Sequence, residues 1–179
     1  MRTISVVAVL LGSLSALLSS ACSNAGADAS INITHDVCAP LMLVPTGASA
    51  VQREGIDAAL ALWRARGMSP LVVDEPVAGA PSLEVRFEAA AGAFHGVYDD
   101  ETGVVYVNSA LTNPSALAIV IAHELGHAFG LPHVTERASL MNPGNLVLPP
   151  TLEDEAALVA LWGACADDAG APATGALSR

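Results

Sequence analysis

The sequence predicts an α+β domain, a small twisted mixed sheet packed on long helices, from three observations. Residues 48–66 carry apolar side chains at helical spacing. Residues 83–88 (LEVRFE) alternate apolar and polar with period two. Two further helical stretches open on capping residues, at Asn113-Pro114 and at Thr151.

The first helix is expected over 48–66, where Val51, Ile56, Leu60, Leu62 and Trp63 form a broad apolar stripe and Gly67 is placed to end it. Strands follow at 71–73 and 83–88. Residues 94–98 and 104–108 flank the turn-rich Asp99-Asp100-Glu101-Thr102-Gly103 and read as a hairpin. A second helix starts behind Asn113-Pro114, carries 117–129 and stops at Gly130. Pro149-Pro150-Thr151 introduces the last helix. Thr151 and Asp154 have capping-box spacing, Glu153, Asp154 and Glu155 sit on the positive dipole end, and Leu158, Val159, Leu161 and Trp162 are expected to face the core. The expected order is helix, strands, helix, irregular loop, helix.

The chain has 179 residues, 53% of them apolar, enough for one core. It carries 18 acids against 7 bases, every base an arginine, and a formal net charge of -11. Scattered arginines on so acidic a chain make no basic patch, which excludes nucleic acid as a partner. The division expected is a signal peptide at 1–21, a flexible tether at 22–34, a folded domain at 35–166 and a disordered tail at 167–179. Arg2 precedes a short apolar region interrupted by serine and glycine, and small residues lead to Cys22. That junction resembles a bacterial lipobox, with Ser19 where an aliphatic residue is usual. Two outcomes stand: Cys22 is acylated and anchors the exported protein to a membrane, or the protein is cleaved and freely secreted.

The chemistry is concentrated in His123-Glu124-Leu125-Gly126-His127-Ala128-Phe129-Gly130-Leu131-Pro132-His133. His123 and His127 leave one face of a helix a turn apart, so both imidazoles can hold one small ion. Glu124 lies beside that face, within reach of a water on the metal. Gly130 permits a sharp turn that returns His133 as a third ligand. Three imidazoles with no nearby cysteine suit a single catalytic zinc with an open fourth position. Five fixed positions would arise by chance about once in several million starts, at roughly 5% per residue type.

This stretch is similar to the zinc motif of the metzincins. Ser139-Leu140-Met141-Asn142-Pro143 resembles their Met-turn, and residues 151–163 are similar to the last helix of the matrixin branch. The resemblance spans roughly residues 40–165 and implies a metzincin-like zincin fold with Met141 beneath the metal. It also makes 94–98 the edge strand. The chain departs from the branch at Val134, where serine is usual, and at Asn145, where tyrosine is often found. A second, structural zinc is not carried over. Calcium at Asp99-Asp100-Glu101 is weighed against a solvated turn, which is favoured. His35 and His95 are expected at the surface.

The function implied is a secreted or lipid-anchored zinc endopeptidase that cleaves polypeptides as a monomer, zinc activating a water and Glu124 serving as general base. Residues 145–148 are expected to line a substrate pocket. One alternative is a non-catalytic zinc-containing binding or adhesion lipoprotein; another is a zinc amidase or toxin acting on something other than protein. With Cys22 assigned to lipid, Cys38 and Cys165 form an even pair in an exported protein and are expected to be disulfide-bonded. Two buried free thiols, or Cys38 as an inhibitory zinc ligand, are the alternatives.

Overall fold

The computed structural model describes residues 31–68, 71–72 and 79–165. The expected signal peptide, Cys22, most of the tether and the tail at 167–179 lie outside the described residues.

The chain runs β1 (Pro40–Thr46), α1 (Ala50–Arg64), β2 (Leu71–Val72), β3 (Ser82–Glu88), β4 (Gly96–Asp99), β5 (Val104–Asn108), α2 (Pro114–Ala128) and α3 (Leu152–Trp162). The five strands form one mixed sheet in the order β2-β1-β3-β5-β4. All neighbours are parallel except β4, which pairs antiparallel with β5 and forms an edge. The α+β class therefore holds, with one addition: a strand precedes the first helix.

That strand escapes the period-two reading because PLMLVPT does not alternate and holds two prolines. Its register explains the second proline. The Met42 N–H donates to Pro81 O, so even-numbered amides of β1 face β3 and odd-numbered ones face the opposite side. On that side β2 pairs only with Pro40 and Leu41. Pro45 therefore lacks its N–H where no ladder bond is to be made.

The helices begin where the capping chemistry says they should. Ser49 and Gln52 close a capping box on α1, Asn113 accepts the Ala116 N–H ahead of proline on α2, and Thr151 and Asp154 cap each other on α3. Helix α2 is buried almost all round, from Leu117 to Gly126, as an apolar run without a polar stripe requires. It packs against α1 so closely that a side chain at Gly55 would lie 2.8 Å from Leu117 Cδ2. Trp63 of α1 is fully buried; its Nε1 donates to Ala122 O at 3.1 Å, and its ring meets Phe129 edge-on. From the sheet, Leu83, Val85, Val105 and Val107 close the core. In α3 Leu158 is fully buried, but Leu161 is 53% exposed, contrary to the inward orientation expected of it. The Trp162 Nε1 donates instead to Phe129 O at 2.7 Å and ties α3 to the end of α2.

The N-terminal segment is strapped to this body. Asn32 N donates to Asp100 Oδ2, the Tyr98 hydroxyl to Ile33 O, and His35 N to Ala128 O. The tether expected to end at residue 34 is thus packed from Ile31 onward. His35, expected at the surface, is buried at the end of α2, with its Nε2 unpartnered. A disulfide joins Cys38 to Cys165, so the free-thiol and zinc-ligand alternatives for Cys38 do not hold.

Candidate metal centre

Helix α2 places His123 and His127 on one face, and the turn after it decides where His133 goes. The Gly130 N–H donates to His127 O and the Leu131 N–H to Gly126 O, with Gly130 at φ 99°. This is a Schellman ending, and only glycine takes that φ without strain. Leu131, 2% exposed, anchors the turn in the core, and the chain doubles back to His133.

The three imidazoles converge. His133 Nε2 lies 3.2 Å from His123 Nε2 and 3.2 Å from His127 Nε2. The other ring nitrogens of the two helical histidines are spoken for: His123 Nδ1 donates to Leu140 O and His127 Nδ1 to Leu131 O, each at 2.7 Å. A carbonyl only accepts, so both rings carry their proton on Nδ1 and turn an Nε2 lone pair inward. Burial holds all three pKa values below the ordinary histidine value. His127 falls to about 4, with the neighbouring His123 adding to the effect. Neutral imidazoles with lone pairs aimed at one point are a cation site. Nitrogens sharing one tetrahedral zinc at about 2.0–2.1 Å lie about 3.3 Å apart, so the donor set fits that ion. It is the one such cluster of three or more ligand side chains among the described residues.

Glu124 sits beside the cluster, 5% exposed, and burial raises its pKa to about 8 against the weaker lowering effect of the Tyr98 N–H. Its carboxylate reaches the edge strand at a glycine: a Cβ on Gly96 would stand 2.9 Å from Glu124 Oε1 and 2.9 Å from Val120 Cγ1. A cavity of about 160 Å³ opens here, lined by Phe94, Gly96, Val120, Glu124, Gly144 and Asn145 among others. His95 also lines it and is half-buried, so the surface reading of that histidine gives way.

Beneath the histidines lies the expected Met-turn. Met141 is buried against α2 so tightly that a side chain on Gly126 would come within 2.5 Å of its Sδ. The turn is held from below by Asp154, 1% exposed. Its carboxylate accepts from the Ser139 hydroxyl, from Leu140 N at 2.9 Å and from both Thr151 N and Thr151 Oγ1. The residue whose N–H it holds, Leu140, is the one whose carbonyl fixes His123.

The geometry thus brings together every ligand expected from sequence, His123, His127 and His133, with Glu124 and Met141. Asn145 lines the cavity, as expected of residues 145–148; Gly96, the hydrogen bonds of the Asn145 amide and the second role of Asp154 were missed. A lone glycine in a strand marks close approach and was a readable signal for the first; the others depend on contacts between distant segments. The calcium reading is not supported. Asp99 spends its oxygens on Glu101 N, Thr102 N and Thr102 Oγ1, and Asp100 accepts from Asn32 N. These acids build the turn and hold the strap.

The Matrixin family model, Peptidase_M10, matches residues 87–151. Among solved structures, "Structure of myroilysin" is similar at 16% identity and TM-score 0.40, covering 58% of this chain and 54% of that one. The chain therefore spans about half the length of that structure. No curated protein matches. The matched segment runs from the end of β3 through both motifs to the cap of α3, and over it the chain is similar to the matrixins.

Proposed function

We propose that the chain is a zinc-dependent endopeptidase, exported and held at a membrane through an acylated Cys22. The observation that carries the catalytic part is the convergence of three neutral Nε2 atoms beside one buried carboxylate at an open sheet edge. His123, His127 and His133 would hold the zinc. Zinc so bound supplies Lewis acidity toward a carbonyl oxygen and a water.

The chain's own residues do the rest. Glu124 takes the proton of the attacking water and returns it to the leaving amine; burial keeps its carboxyl in the range where both transfers are feasible near neutral pH. Leu140 O and Leu131 O keep the His123 and His127 rings from rotating. The outer edge of β4, with Phe94 and Val97 partly exposed beside it, accepts an extended peptide as an added strand. That mode binds main chain and leaves side-chain choice to the cavity next to Glu124.

The disulfide is in keeping with an oxidising compartment, and no helix among the described residues is long and apolar enough to cross a membrane. Attachment is assigned to Cys22 on the strength of its lipobox-like junction, and a Cys22→Ala protein recovered soluble where wild type partitions with membranes would support it. The test of activity is digestion of a peptide library by wild type and Glu124→Ala. Cut sites produced by the first and not by the second are expected; equal cleavage by both would refute the role of Glu124.

A further inference from the structure

We infer that Asn108 is a positioning residue that closes the substrate-binding edge at Phe94, so that a guest strand pairs with Gly96 and Tyr98 alone. The inference rests on the peptidase reading above and names how much of a peptide's main chain the edge holds.

The bond from Asn108 N to His95 O at 2.8 Å fixes which way each residue of β4 faces. These two residues continue the register in which Gly96 stands opposite Val107. Peptide groups alternate along a strand, so His95 and Val97 turn theirs to β5, while Gly96 and Tyr98 turn theirs to the open side. By the same alternation Phe94 would offer its N–H and carbonyl there too. It offers neither. Its N–H donates to Ala91 O at 2.9 Å, and its carbonyl accepts from Asn108 Nδ2 at 2.8 Å.

One amide holds this approach to the edge strand. Residues 89–93, Ala-Ala-Ala-Gly-Ala, are exposed and carry no polar side chain, so neither burial nor their own side chains fix them. Among the described residues, Asn108 is the one side chain that hydrogen-bonds the loop. It sits at the end of β5, 2% exposed. The second hydrogen of its Nδ2 is shared by Ala91 O at 3.3 Å and Ala90 O at 3.4 Å, and its Oδ1 accepts from Ala110 N at 3.0 Å. The loop is thereby drawn back toward β5, and Phe94 reaches the cavity beside Glu124 with its main chain already satisfied. On the open side there remain the Gly96 N–H, Gly96 O and Tyr98 O, since the Tyr98 N–H is held by Glu124. Two carbonyls two residues apart take two N–H groups of a guest, whichever way it runs.

The test takes a peptide that the wild type cleaves and methylates its amide nitrogens one at a time, the scissile one excepted. Each methyl group removes one N–H, and where the protein binds that N–H the KM should rise about two- to tenfold. Asn108→Ala, and Asn108→Asp with an ionised carboxylate facing the loop carbonyls, cannot donate to Phe94 O and return it to the edge. In both variants one position that is silent in the wild type should become sensitive, two residues beyond the last sensitive one. A merely structural defect would lower kcat for all peptides alike and leave the set of sensitive positions as it was. A second readout needs no turnover: in the wild type the Phe94 amide should be protected from hydrogen exchange and the Gly96 amide should exchange fast, and Phe94 should lose its protection in both variants. The same sensitive positions in the wild type and both variants, or a Gly96 amide better protected than that of Phe94 in the wild type, overturns the inference alone. Failure of the wild type to cleave any peptide overturns the peptidase reading and this role with it.

Discussion

Gly96 leaves just enough room for the Glu124 carboxylate: the nearest oxygen would lie 2.9 Å from any Cβ added there, closer than such atoms approach. The edge strand and the proposed base are thus built against each other. Gly96→Ala would press on Glu124 Oε1 and on Val120 Cγ1 alike, each 2.9 Å from the added Cβ, so the carboxylate must turn and β4 must move slightly off α2. The expected outcome is a fall in peptidase rate on the order of 100-fold with unchanged zinc content and a loss of stability of about 1–3 kcal/mol. Steady-state kinetics beside a melting curve checks it, and a large loss of stability with intact specific activity would contradict it.

Asp154→Asn should show where the Met-turn gets its stability. Burial alone would raise the Asp154 pKa, but hydrogen bonds from Ser139, Thr151 and Leu140 outweigh it and hold the carboxyl below its usual range. A depressed folded-state pKa means stability that is fully present above about pH 4 and lost as pH falls through the folded value. The variant should therefore be less stable than wild type by about 1–3 kcal/mol at neutral pH, and the two should converge below about pH 4. Urea unfolding between pH 7 and pH 2.5 measures it. A constant difference across that range would mean the carboxylate charge contributes nothing.

The metal-free protein should be acid-sensitive in a different window. His127 has its pKa lowered to about 4 by burial and the neighbouring His123, and His35, His123 and His133 are lowered by burial. Between about pH 4 and pH 6.5 the unfolded chain then binds more protons than the folded one, so stability falls as pH drops through that interval. Zinc competes with those protons and should move the decline to lower pH. Denaturant melts with and without chelator give the comparison; identical curves would argue that no metal occupies the histidines.

Much of this site is written in short contiguous stretches, which is why it was legible. His123, Glu124, His127 and His133 need only helix geometry and one glycine turn to converge, and Asn113 and Thr151 announce their helices through local capping. What was not legible depends on pairing across the chain. β1 reads as irregular until β2 and β3 flank it. His35 reads as a surface residue until the strap lays it against the end of α2. Asp154 reads as half of a capping box, and its grip on Ser139 and Leu140 appears only when α3 meets the Met-turn.

The disulfide closes the domain at both ends, joining residues 127 apart in sequence. In the chain-entropy account a loop of that length contributes at most about 4–5 kcal/mol. Reduction, or the double change Cys38→Ala with Cys165→Ala, should lower the unfolding midpoint substantially while leaving the zinc ligands intact. Non-reducing peptide mapping that finds both thiols free in native material would remove the basis of this expectation.

The central claim is that three histidines hold one catalytic zinc and Glu124 works beside it. Elemental analysis of purified wild type, Glu124→Gln and His123→Ala, with peptidase rates on the same samples, tests it most directly. The account predicts one zinc per chain in wild type and in Glu124→Gln, little or none in His123→Ala, and a rate lower by orders of magnitude in both variants. Wild type that binds no transition metal even after zinc is restored, or Glu124→Gln with full activity, would contradict it.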